Sequence, residues 1–241
     1  MRIDQVLAHA GYGTRKQVRQ LIKRRYVKVN GDVVTNHGLH VDPNTDVITV
    51  HDDEVTYQKY VYLMLNKPSG YITATHDRKH LTVLDLVPDQ YVHYRLSPVG
   101  RLDKDTEGLL LITNDGKINH MLTSPKRNIW KTYEAVVSGV VTEKHVEQFR
   151  HGITLDDGYK TKPARLTIIN IEGNRSLVNI MLTEGKYHQV KRMFQATDME
   201  VLYLKRTKIG DIQLDDQLDP GQIRPLTAEE IAWLESLKEG E

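Results

Sequence analysis

The stretch Gly100-Arg101-Leu102-Asp103-Lys104-Asp105-Thr106-Glu107-Gly108 packs charged and flexible residues between two apolar segments, the second being Leu109-Leu110-Leu111-Ile112. Loops held rigidly at both ends often carry function, and an ionised carboxylate in one is suited to act as nucleophile or general base. Spacing alone does not select Asp103, because an Asp in a glycine-flanked loop is more often a turn or cap residue than a catalyst. Other chemistries are easier to set aside. The chain has no cysteine, which removes thiolate catalysis, disulfides and thiolate metal sites and suits a reducing compartment, the cytosol by default. Of its eleven histidines, His76 and His80 are four apart, but Asp77-Arg78-Lys79 between them reads as an exposed loop, so no metal site is expected. A hydrolase built on Asp103 and a histidine would need a paired nucleophile and base, and none stands at recognisable spacing.

The elements that must hold such a loop fall into two groups. Near the N-terminus, Ile3, Val6, Leu7 and Ala10 recur at helical spacing up to Gly11 and Gly13, and Thr14 offers a cap for a second helix burying Val18, Leu21 and Ile22. Tyr26 to Val29, then Asn30-Gly31, then Val33-Val34 reads as a hairpin, because Asn-Gly accepts the positive φ of a two-residue turn. The polar run from Asp52 to Lys59 reads as a linker, which sets the domains at 1–58 and 59–241. Beyond it, strands are expected at Tyr60 to Leu65, Leu109 to Ile112, Tyr133 to Val137, Ala164 to Ile171 and Ser176 to Leu182. Helices are expected at Val83 to Val87, Lys117 to Leu122, Glu143 to His151, Tyr187 to Thr197 and Ala228 to Leu237, an irregular interleaving that predicts an α+β fold on a mixed sheet.

Charge separates the two ends. The totals nearly cancel at 33 basic and 32 acidic residues, yet no acid lies between Gln5 and Gly31, where Arg15, Lys16, Arg19, Lys23, Arg24, Arg25 and Lys28 cluster. Arg15, Arg19 and Lys23 are four apart, so they share one helix face, opposite the apolar positions. A solvated face is the ordinary reading of a basic helix; the acid-free window favours a phosphate backbone instead. No apolar run approaches the roughly 20 residues that span a bilayer, so no membrane partner is expected.

Four stretches then carry a resemblance: Leu65-Asn66-Lys67-Pro68-Ser69-Gly70; Gly100 to Asp103 with Thr106, Gly108 to Leu111 and Thr113 to Gly116; Lys131-Thr132-Tyr133; and Glu184 to Phe194. In order and spacing they resemble the pseudouridine synthases that act on ribosomal RNA. Arg2-Ile3-Asp4, Thr14-Arg15-Lys16 and Val27 to Gly31 are similar to the S4 RNA-binding domain, with one departure: that pattern usually carries Gly where Arg25 or Tyr26 stands. Tyr187 to Met193 and Pro220 to Thr227 look most like the branch acting on small-subunit 16S RNA, whereas large-subunit branches usually carry Asn-Arg at Tyr187-His188.

The resemblance implies an S4-like domain followed by a catalytic domain on a mixed, mainly antiparallel sheet with flanking helices. It implies isomerisation of one uridine of 16S ribosomal RNA, the uridine-516 equivalent, within a small-subunit assembly intermediate and by a cytoplasmic monomer without cofactor. It maps the catalytic carboxylate onto Asp103, its cationic partner onto Lys191 and the base-stacking aromatic onto Tyr133. Arg101 would enter the RNA stack, Val190 would pack on the other side of the base, and Lys67 and Pro68 would shape the pocket. RNA binding falls to Arg2, Arg15, Lys16, Arg19, Lys23, Arg24, Arg25 and Lys28. A synthase acting on 23S RNA, or a non-catalytic S4-type assembly factor, are the rival functions.

Overall fold

The computed structural model describes residues 1–239. Two compact units emerge, Met1–Val61 with Pro88–Arg95, and Tyr62–Val87 with the described residues from Leu96 onward. The segment Pro88–Arg95, read from sequence as part of 59–241, groups with the first unit; there the His93 ring lies 3.0 Å from where a Cβ on Gly11 would stand.

The first unit contains α1 (Ile3–His9), α2 (Arg15–Lys23), β1 (Val27–Val29), β2 (Asp32–Val33), β3 (Ile48–Val50) and β4 (Asp53–Glu54), the strands pairing in the order β2-β1-β3-β4. Ile3, Val6 and Leu7 meet Val18, Ile22, Val27, Ile48 and Val50 in one core, as the helical and alternating spacings require. Thr14 caps α2, its hydroxyl accepting from Gln17 N at 3.3 Å while the Gln17 carboxamide accepts from Thr14 N at 2.8 Å. Asn30 and Gly31 take φ +53° and +89° in the β1–β2 turn. Arg25 takes φ +61°, so the position where the S4 pattern prefers Gly is left-handed here too, at a cost of about 1–2 kcal/mol for a residue with a Cβ. The expected linker is partly structure: His51 and Asp52 turn left-handed at φ +53° and +69°, Asp53–Glu54 pairs back on β3, and Val55 joins the core. No Gly announces that turn.

In the second unit come β5 (Tyr62–Lys67), a 3-10 turn at Val83–Leu86, β6 (Ser97–Pro98), β7 (Glu107–Thr113), α3 (Gly116–Thr123), β8 (Lys131–Ser138) and α4 (Glu143–Arg150). After these come β9 (Arg165–Glu172), β10 (Arg175–Leu182), α5 (Gln189–Gln195), β11 (Val201–Ile209), β12 (Ile212–Gln213), β13 (Ile223–Pro225) and α6 (Ala228–Glu239). The sheet runs β13-β5-β7-β11-β8-β10-β9, with β6 on β7 and β12 on β11. Its pairings are antiparallel except that of β7 with β11. Every residue of β5 is buried, the mark of a strand covered on both faces. The helix expected over Val83 to Val87 is only the short 3-10 turn, because Pro88 follows and excludes a longer α-helix. No helix among the described residues is long and apolar enough to cross a membrane.

Strand β11 went unread in the sequence, yet it is the one that joins the two halves of the sheet. It comes so close to β7 that Gly108, at φ +97°, faces Arg206 directly: a Cβ there would stand 2.2 Å from the Arg206 carbonyl oxygen. Only glycine tolerates both that dihedral and that approach. Gly108→Ala is therefore expected to lower the unfolding free energy by about 3 kcal/mol or more, checked by chemical denaturation; wild-type stability would show that the two strands do not need this contact.

Candidate active site

The loop between β6 and β7 is fixed from behind by its own backbone. The Thr73 hydroxyl donates to Leu102 O at 2.7 Å and accepts from Leu102 N at 3.1 Å, and Gly70 N donates to Lys104 O at 2.8 Å. Beneath it lies Lys67, 0 % exposed, whose ammonium donates to the carbonyls of Thr106 at 2.7 Å, Pro68 at 3.1 Å and Lys104 at 3.2 Å. Burial pushes the Lys67 ammonium down to about 8, against the pull of the Asp105, Glu107 and Asp103 carboxylates. With the backbone turned inward, the Asp103 side chain faces outward, about one-quarter exposed.

Opposite stands the turn leading into α5. Buried Glu184 accepts from Gln189 Nε2 at 2.7 Å, Lys162 N at 2.9 Å and the Tyr159 hydroxyl at 2.8 Å, which locks the turn. His188, left-handed at φ +48°, reaches Asp103 Oδ1 at 3.5 Å, and Lys191 Nζ lies 3.4 Å from Asp103 Oδ2. Lys191 is closer still to Asp105, donating to both of its carboxylate oxygens at 2.6 and 2.8 Å. Burial works against the Lys191 charge, but the Asp105 hydrogen bonds and the Asp103 charge outweigh it and raise its pKa. Asp105 is held below the usual carboxylate range by Lys191 despite burial that would raise it.

These groups surround a cleft of about 580 Å³, also lined by Arg101, Lys104, Lys131, Tyr133, Val190 and Arg206. Tyr133 and Val190 are buried and Arg101 is exposed at the rim. Tyr187, 76 % exposed, stacks on the His188 ring at 3.8 Å. Of the residues singled out from sequence, the structure brings together Asp103, Lys191, Tyr133, Arg101 and Val190. Lys67 and Pro68 do not line the cleft; Lys67 acts on it from behind, through the loop carbonyls. Asp105, His188, Lys131 and Arg206 were not assigned, although His188 and Lys131 lie inside the stretches that carried the resemblance. Thr73 offered no signal at all.

In the first unit the basic residues divide. Arg15, Lys16, Lys23, Arg24 and Arg25 are exposed. Arg2 and Arg19 are exposed too but converge on Asp4, 1 % exposed, at 2.9 and 3.1 Å, and Lys28 pairs with Asp52 at 2.5 Å. Burial would raise the Asp4 pKa, but the bonds from Arg2 and Arg19 lower it overall.

A half-buried carboxylate beside an ammonium, facing a tyrosine across a cleft with cations at its rim, suits a flat base carried on a phosphate chain. Comparison with known proteins decides the family. The RNA pseudouridylate synthase pattern matches residues 61–196, and the S4 domain pattern matches 1–47. The chain belongs to the RNA pseudouridylate synthase family. Among its relatives, the ribosomal small subunit pseudouridine synthase A of Escherichia coli (strain K12) is 40 % identical over 96 % of this chain and 99 % of that protein. An uncharacterized RNA pseudouridine synthase of Bacillus subtilis (strain 168) is 43 % identical over 97 % of this chain and 98 % of its own length. A crystal structure of a pseudouridylate synthase superposes with a TM-score of 0.67 at 37 % identity, over 97 % of this chain and 99 % of that one.

The synthase therefore isomerises uridine in RNA, and its loop must hold still while bonds change. Lys67→Met would leave the carbonyls of Lys104 and Thr106 without that donor, for a stability loss of about 2 kcal/mol and a fall in turnover of roughly tenfold or more as the loop shifts. Thermal melts and release of the uridine C5 hydrogen as tritium measure the two; wild-type values in both would remove Lys67 from any supporting role.

Proposed function

We propose that this synthase converts one uridine of 16S ribosomal RNA, the uridine-516 equivalent, to pseudouridine with Asp103 as its reacting carboxylate. The placement of Asp103 across the cleft from Tyr133 and within 3.4 Å of Lys191 supports the role. Isomerisation breaks the bond from ribose C1′ to N1 and forms one from C1′ to C5; the C5 proton leaves and N1 takes one up, so no redox partner is called for. An ionised carboxylate beside the ribose and the ring can meet C1′ or add to C6. Lys191, 3.4 Å away, orients it. Tyr133 and Val190 hold the flipped base on its two faces, and the planar guanidinium of Arg101 fills the gap left in the RNA stack.

For the 16S target, support comes from full-length similarity to small-subunit synthases and from Tyr187-His188 standing where large-subunit branches carry Asn-Arg. Arg15, Lys16, Lys23, Arg24 and Arg25 supply the phosphate-binding surface of the S4 domain. Pseudouridine mapping of ribosomal RNA from cells with and without the gene tests the target, and complementation with Asp103→Asn tests the site. Loss at a single 16S uridine, not restored by a variant that still binds RNA, is the expected result. Loss in 23S RNA overturns the target, and turnover by Asp103→Asn overturns the role of Asp103.

A further inference from the structure

Two cations in the cleft take no part in holding Asp103. Lys131 and Tyr133 are two apart on β8, so their side chains leave the same face of the sheet. Arg206 sits directly opposite Tyr133 in the β11–β8 pairing, which puts it on that face as well. All three line the cleft. Neither cation has a carboxylate partner among the described residues. Lys131 Nζ reaches the Ile129 carbonyl at 3.3 Å, and Arg206, 2 % exposed, donates from Nε to Leu109 O at 2.8 Å. Its Nη2 is buried with no partner. Burial, aided by the Arg206 charge, pushes the Lys131 ammonium down to about 8.

An unsatisfied buried guanidinium N–H is costly and calls for an explanation. Leu122, Leu182, Leu204 and Ile209 line the same cleft, so an acceptor bound by these buried cations would meet strong, poorly screened donors. We infer that Lys131 and Arg206 form the site for the carbonyl oxygens of the flipped uracil and stabilise the negative charge that gathers on them during isomerisation. This rests on the reading of Asp103 and Tyr133 given above, but not on which carbon Asp103 engages. If the C1′–N1 bond breaks heterolytically, its electron pair passes to the base and spreads over O2 and O4. If Asp103 adds to C6, the displaced pair moves onto O4. In both routes C1′–N1 breaks, the pair on the base forms the C5–C1′ bond, C5 loses its proton and N1 gains one; any bond to Asp103 breaks with its pair returning to the carboxylate, from C1′ as C5 attacks or from C6 as the C5–C6 double bond re-forms, and the oxygen charge is gone.

A backbone phosphate is the other acceptor that RNA offers. It stays joined to the strand on both sides and fits the rim, where Arg101, Lys104 and Lys186 are exposed. Arg206, at 2 % exposed, lies deeper than Asp103, and the base is the end of a flipped nucleotide that reaches inward.

The experiment uses the RNA that the wild-type enzyme modifies, with tritium at uridine C5, under single-turnover conditions. Lys131→Met is expected to lower the saturated rate about 100-fold, as loss of one donor from an oxyanion site does, and to leave the RNA dissociation constant within about twofold. Lys131→Arg should recover the rate to within about tenfold of wild type, since the charge is kept. Should Lys131→Met melt below the assay temperature, Lys131→Gln is read by the same split. A wild-type rate in the neutral variant overturns the inference. So does weaker RNA binding with an unchanged saturated rate, which assigns Lys131 to a phosphate. A substrate RNA that proves to be other than 16S would count against the proposed target, a different failure from either of these.

Discussion

Asp103 and Asp105 are two residues apart in one loop, and two carboxylates so placed repel each other unless a cation stands between them. Lys191 does so, at 3.4 Å from one and 2.6 Å from the other. The remaining architecture follows from holding that ammonium on one side and the loop on the other. Glu184 and Gln189 lock the turn that presents Lys191, and Thr73, Gly70 and Lys67 take up the loop carbonyls so that the carboxylates face outward. Asp105, the more exposed of the two, takes the short bonds. Asp103 thus keeps its charge balanced without being tied down, as a group that must approach a substrate requires.

The expectations drawn from sequence succeeded where local chemistry decides structure. Thr14 with Gln17, and Asn30 with Gly31, each dictate a cap or a turn from neighbours in the chain, and both stand as the spacing implied. The α+β fold with a mainly antiparallel sheet was equally legible. What escaped notice depends on distant partners. Strand β11 has Leu204, Arg206 and Ile209 as its buried positions, and a cation in that set breaks the apolar alternation that reveals a strand. For the same reason Arg206 was invisible as a site residue. The left-handed turn at His51-Asp52 carries neither Gly nor Asn, and its polar residues read as linker, so β4 was missed. Lys67 was found by motif but misplaced, because a motif reports that a lysine matters and not which side of the loop it occupies.

Basic residues of the first unit differ in what they contact. Of the eight cations read as RNA-binding, Arg2 and Arg19 neutralise buried Asp4, and Lys28 is paired with Asp52. A helix stripe predicted from periodicity alone therefore holds one exposed residue, Arg19, tied to a buried acid, beside the exposed Arg15 and Lys23. Asp4 is the acid just before the acid-free window, so the same short segment supplies the surface charge and the counter-charge that anchors part of it.

The place of β11 in the sheet also governs when the cleft can exist. Its neighbours β7 and β8 are made some 70 to 100 residues earlier in the chain than β11 itself, and long-range pairings of that kind close late. As the chain emerges from the ribosome, β5 and β7 can pair with each other, and β10 with β8 and β9, while the gap between the two groups stays open. Only when residues 201–209 arrive do the halves join, so an enzyme that acts on RNA has no catalytic floor until that strand is made.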